Sequence, residues 1–88
     1  MAMSDSDRAD VWRIFMQDRK CPGAITKPQL RTAVNAADDW VDIQLATGTA
    51  TTYVSYMAAN AATFWSAATT NQKSEVLMYC IERRFGRI

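Results

Sequence analysis

Tyr53-Val54-Ser55-Tyr56-Met57-Ala58-Ala59-Asn60-Ala61-Ala62-Thr63-Phe64-Trp65-Ser66-Ala67-Ala68 is the stretch on which the fold class turns. Its first four residues have the β-branched and aromatic composition of a strand. The period of the whole stretch argues otherwise. Tyr53, Met57, Ala61, Phe64 and Ala68 recur at steps of three and four, which places them on one helical face, and the alanines between them favour that geometry. The spacing therefore predicts a helix over 53–67 and an all-α chain. Just upstream, Gly48 and the threonines of Thr47–Thr52 lower helix propensity, so residues 47–56 stay open between helix, loop and short strand.

Working outward, the same stretch lies inside a run of thirty residues, Ile43 to Gln72, without an Asp, Glu, Lys or Arg. The rest of the chain is densely charged with both signs. Ala, Thr and Ser punctuated by Tyr53, Tyr56, Met57, Phe64 and Trp65 suit a core or a contact with another chain better than a solvated surface. Depletion of charge with enrichment of aromatic residues and Met also marks the centre of protein interfaces. These five residues are the candidates for a protein interface, with core on one face of the segment and a subunit contact on the other.

Three further helices flank this segment. Thr26-Lys27-Pro28 is a helix start, since proline in the first turn gives up an amide that has no partner there anyway. Leu30, Ala33, Val34, Ala37, Val41 and Leu45 then repeat at helical steps, predicting a helix over 27–46. Thr69 and Gln72 have the spacing of a capping box, and Val76, Leu77, Cys80, Ile81 and Phe85 form an apolar face, predicting a helix over 71–85 closed by Gly86. Ser4 or Ser6 with Asp5 and Asp7 opens a first helix over 5–19, whose stripe of Val11, Trp12, Ile14, Phe15 and Met16 precedes the breaker Cys21-Pro22-Gly23. One helical domain over 1–88, a bundle of about four helices, is the architecture expected.

Composition narrows the function. The 88 residues carry a formal net charge of +1, too little for a general binder of nucleic acid or anionic membrane, which must neutralise many phosphates. Cys21 and Cys80 match neither a CxxC pair nor a zinc pattern, and His is absent, so no metal and no cofactor are expected. With no signal-peptide pattern before Trp12, the cysteines are expected to be reduced thiols of a soluble protein that folds inside the cell. No apolar stretch approaches the ~20 residues of a membrane span.

Two charge clusters remain as candidate electrostatic contacts. Asp38, Asp39 and Asp42 form an acidic group on the second helix. A paired-carboxylate catalytic site is one reading of it, but no His, partner base or glycine-rich loop accompanies it, and a solvated or salt-bridging face accounts for it better. Arg83, Arg84 and Arg87 form a basic group at the end of the last helix, where positive charge complements the helix dipole. They suit ion pairing with an acidic surface of a neighbouring subunit, such as the aspartate cluster itself. The alternative is contact with DNA, given that the Thr26–Leu45 helix follows a short turn in the manner of a helix-turn-helix; the three aspartates on that helix would repel phosphates. No enzymatic activity and no small-molecule substrate are expected.

Ile25-Thr26-Lys27-Pro28-Gln29-Leu30-Arg31, running into Ala33-Val34-Asn35-Ala36-Ala37-Asp38-Asp39-Trp40-Val41-Asp42, resembles a pattern in small proteins of tailed bacteriophages and prophages. Thr69-Thr70-Asn71-Gln72-Lys73, ahead of an apolar helix and the Arg83-Arg84 pair, resembles the same group. The likeness covers about residues 25–42 and 69–84. That group places an Asn and a nearby Pro in its middle segment; here Asn60 is present and no proline follows. The resemblance implies a short all-helical protein encoded among virion-structure genes, with a structural or assembly role at the head, the head-to-tail junction or the tail. It also implies partners that are other copies of itself or neighbouring virion proteins, and a location in the virion, reached from the host cytoplasm during assembly.

Overall fold

A computed structural model describes residues 3–47 and 52–88 of the chain. Among these the secondary structure is entirely helical: α1 Asp5–Gln17, α2 Lys27–Thr47, α3 Tyr53–Asn60, α4 Ala62–Ala67 and α5 Thr70–Arg84. The all-α reading of Tyr53–Ala68 is correct, and five helices stand where about four were expected. The question over 47–56 is answered at Thr47, the last residue of α2, and from Thr52 onward, where Thr52 caps a helix; Gly48–Thr51 lie outside the described residues.

The extra helix comes from a break at Ala61, whose backbone (φ −143°, ψ 49°) leaves the helical region. Asn60 sits beside the break and donates its side-chain amide to the Tyr56 carbonyl at 2.9 Å, the local competition with backbone pairing that makes Asn a poor helix-interior residue. The break also has a packing reason. Both α3 and α4 lie against α2, and two packed helices normally cross at an angle, so an unbroken 53–67 helix would draw away from α2 at one end.

Four of the five helix starts are closed by a side chain, and α4, which follows Ala61, has no side-chain cap. Ser4 accepts from the Asp7 amide at 3.1 Å, Thr52 from Ser55 at 3.1 Å, and Thr69 forms a full capping box with Gln72. The Thr26 amide donates to the Gln29 side chain at 2.8 Å, the returning half of the same device. Helix ends explain the boundary corrections. α1 stops at Gln17, not 19, because Arg19 adopts φ 58° and the amides of Arg19 and Lys20 close back onto Met16 and Phe15, both at 3.0 Å. α5 ends with the same double closure: Gly86 (φ 71°) and Arg87 donate to Arg83 and Glu82. Both are Schellman caps, one with glycine in the left-handed position and one with arginine.

α2 is the central element, packed by α1, α3, α4 and α5. The core comprises Val11 and Phe15 of α1, Leu30, Ala33, Val34 and Ala37 of α2, Met57, Ala61, Phe64, and Val76 and Cys80 of α5. The Cα radius of gyration is 11.9 Å, against about 12 Å for a folded chain of this length. Two residues assigned to apolar stripes are strongly exposed: Leu45 is 71% exposed and Phe85 73%. Each lies at a helix end, where the stripe has run past the helices it packs on.

Candidate functional site

The charge-free segment divides inward and outward. Met57 and Phe64 are fully buried, so these two have no surface to offer a partner; seven residues apart, they repeat on the core-facing side. Tyr53 is half-buried, and its ring bridges Trp40 and Trp65 edge-on, with centroids 5.3 and 5.5 Å away. Its hydroxyl donates to the Lys73 carbonyl at 2.8 Å, and burial pushes the phenol well above its ordinary pKa. Tyr56 and Trp65 are partly buried against the core and keep an outer edge, over which the Lys73 ammonium sits 4.7 Å from the Trp65 ring.

What α3 and α4 turn to solvent is therefore mostly small: Val54, Ser55, Ala58, Ala59, Asn60, Ala62, Thr63 and Ser66 are exposed, and none carries a charge. The aromatic residues that marked the segment in the sequence chiefly fix α3 and α4 to α2 and α5.

The two charge clusters come together inside the chain. Asp38 is fully buried. One carboxylate oxygen accepts from the Arg8 Nε at 2.9 Å and the Met3 amide at 3.0 Å; the other accepts from the Arg84 Nε at 2.7 Å. Arg84 also donates to the Asp38 carbonyl at 3.0 Å. Arg8 forks onward to Asp39 at 2.5 Å. Burial lowers the Arg8 pKa, the bonds to Asp39 and Asp38 raise it by more, and the balance leaves it above the ordinary value. Arg83 pairs with Asp7 and Asp10, both at 2.9 Å. The pairing expected between Arg84 and the aspartate cluster thus occurs within one chain. Asp42, one turn beyond Asp38, is half-buried, and Arg87 is exposed.

Arg8 is the residue that sequence reading missed. A signal was available in Asp38, which lies between Val34 and Val41 at steps of four and three, on the buried arc of α2. A carboxylate on that arc needs a cation to meet it.

The cysteines are far from this clamp in character. Cys80 is buried, with its thiol 3.7 Å from the Val34 carbonyl, and burial pushes its pKa up to about 12. Cys21 is partly exposed, and burial raises its pKa too. Among the described residues no three His, Cys, Asp or Glu side chains are grouped to hold a metal ion, and no helix is long and apolar enough to cross a membrane. Shallow clefts flank α2 on both sides. One of about 240 Å³ lies between α1 and α2, and one of about 210 Å³ lies beside the α3–α4 break. Compared with known proteins, the chain matches no family model, no curated protein and no solved structure.

Proposed function

We propose that the chain is a non-catalytic structural or assembly protein of a tailed-phage particle, at its head, head-to-tail junction or tail. In this reading it works in many copies through protein contacts made by the outer face of α3 and α4. The observation that carries the proposal is that face itself: two consecutive helices present Val54, Ala58, Ala59, Ala62 and Thr63 to solvent without one charged side chain. Small uncharged side chains let a neighbouring helix approach closely, and no desolvated charge opposes the contact. The reading places the protein in the virion, after assembly in the host cytoplasm, beside copies of itself or other virion proteins.

The alternative of a small DNA-binding regulator draws less support. Two of its three arginines, Arg83 and Arg84, are engaged with Asp7, Asp10 and Asp38, so little positive charge is left at that end for phosphates.

Light scattering across a concentration series, on wild type and on Ala59→Glu and Ala62→Glu, tests the proposal. Both positions are exposed, so the variants keep wild-type helicity. The wild type associates with rising concentration and the variants stay monomeric. A wild type that remains monomeric at every concentration, and is absent from purified particles by mass spectrometry, overturns the proposal.

A further inference from the structure

The helices divide by what holds them. α1, α2 and α5 each pack on the other two, whereas α3 and α4 pack on α2 and on each other. The first three are also tied by charge: Arg8 and Arg84 meet on Asp38, Arg83 spans to Asp7 and Asp10, Lys20 pairs with Glu75 at 2.8 Å, and the Tyr79 hydroxyl donates to Asp18 at 2.5 Å. α3 and α4 carry no charged side chain with which to join that network. Among the described residues, the buried core cluster takes Met57, Ala61 and Phe64 from this segment and the rest from α1, α2 and α5.

α3 and α4 are in turn bound to one another. The Ala61 amide donates to the Met57 carbonyl at 2.8 Å and the Trp65 amide to the Ala61 carbonyl at 2.9 Å, so backbone pairing continues across the break. The rings of Tyr53 and Trp65, one from each helix, meet edge-on. Beyond α4, Ala68 and Thr69 are extended (ψ 145° and 168°), so the angle between α4 and α5 can change by rotation at two residues without breaking either helix. The ties to α5 include the bond from the Tyr53 hydroxyl to the Lys73 carbonyl, 2.8 Å, and the Lys73 ammonium over the Trp65 ring.

Proteins open first where a contiguous unit gives up the fewest stabilising contacts. An opening that separated α1, α2 or α5 would strand Asp38, which is fully buried, away from a cation. Separating α3 and α4 from α2 leaves every ion pair of the sub-bundle in place. We infer that α3 and α4 lift off α2 together, as one cover, while the ion-paired α1–α2–α5 sub-bundle stays folded. The opening bares the apolar faces that meet at Met57 and Phe64. It concerns the inner side of α3 and α4 and stands whether or not their outer face meets a neighbouring chain.

Native-state hydrogen exchange, followed amide by amide in NMR spectra of the intact protein at rising sub-denaturing urea, tests the inference. The slowest amides of α3 and α4 are expected to share one protection factor, about tenfold or more below that of α1, α2 and α5, with a shallower urea dependence because less surface is exposed. Tyr79→Phe and Tyr53→Phe then each delete one hydrogen-bonded hydroxyl, an effect of about fivefold on an equilibrium constant. Tyr79→Phe removes a bond that survives the opening, so protection falls about fivefold in α1, α2 and α5 and is unchanged in α3 and α4. Tyr53→Phe removes a bond that the opening breaks, so protection falls in all five helices. Three results overturn the inference: wild-type protection equal in all five helices; a loss in α3 and α4 on Tyr79→Phe as large as that in the other helices; and different urea dependences for α3 and α4, which would deny that they move as one.

Discussion

Arg84→Met is the sharpest perturbation of this fold, because it removes one charge from a clamp whose centre has no access to water. The substitution keeps an unbranched apolar stem where the Arg84 side chain is 11% exposed and deletes the guanidinium. Asp38, at 0% exposure, then keeps Arg8 and the Met3 amide on one oxygen and loses the Arg84 donor, 2.7 Å away, on the other. Breaking a buried ion pair from one side costs about 3–5 kcal/mol. Since Arg8 still neutralises the carboxylate, the expected loss is at the lower end, about 3 kcal/mol. At ~0.05–0.15 kcal/mol per residue the whole domain has on the order of 4–13 kcal/mol of stability, so a quarter or more of it goes. Urea unfolding followed by far-UV circular dichroism measures this directly, and the melting temperature falls by roughly 12–24 °C at ~4–8 °C per kcal/mol. Adding Asp38→Leu removes the stranded carboxylate, and the double variant is destabilised by at least about 1 kcal/mol less than the sum of the single variants. A loss below about 1 kcal/mol for Arg84→Met, or strict additivity in the cycle, refutes the clamp as a unit.

The two Schellman caps give opposite expectations: Arg19→Gly relieves a left-handed arginine (φ 58°) and stabilises by about 1 kcal/mol, whereas Gly86→Ala at φ 71° destabilises by about as much, both read by thermal melts. Met57→Ala empties a fully buried site and costs about 2–5 kcal/mol in urea unfolding, without loss of helicity at low denaturant. Raising the pH destabilises the fold above about 9. The Cys80 thiol is held up to about 12 by burial, and the Tyr79 phenol to about 12 chiefly by its bond to Asp18, so between the ordinary and the folded pKa values the unfolded chain binds fewer protons and stability falls as pH rises. Unfolding measured at pH 8 and pH 11 shows the loss, and Cys80→Ala removes part of it. Cys21 is alkylated in the native protein while Cys80 reacts only on unfolding, as mass spectrometry after a short iodoacetamide pulse shows.

How far the sequence determines this structure depends on whether a signal is local. The caps at Ser4, Thr26 and Thr69 are legible because a helix start is made by residues three positions apart, and the stripe Leu30, Ala33, Val34, Ala37, Val41 is legible because it repeats inside one helix. The break at Ala61 is different. No glycine or proline marks it, and it follows from how α3 and α4 must cross α2, which is a property of three helices together. The pairing of Arg8 and Arg84 with Asp38 joins residues 30 and 46 positions apart, and no spacing rule connects them. The aromatic candidates were legible as important and ambiguous as to side: Met57 and Phe64 turned inward because the period that predicts the helix also predicts its buried face.

The clamp and the uncharged face are two consequences of one distribution of charge. α1, α2 and α5 are joined by ion pairs as well as by core contacts, through Arg8, Arg83, Arg84 and their aspartates. α3 and α4 carry no charge and are held by Met57, Phe64 and the Trp40–Tyr53–Trp65 ring contacts. An ion-paired sub-bundle accepts only one register, because any slip strands a buried charge. An apolar attachment tolerates small shifts at little cost, since dispersion and burial are non-directional. The rigid half therefore fixes where α3 and α4 sit, and those two helices keep an outer face on which a neighbouring chain would meet no charge that must lose its water. Had Arg84 and Arg8 both been free at the surface, Asp38 would have been buried without a cation, and the internal pairing removes that cost while taking the charge away from the surface.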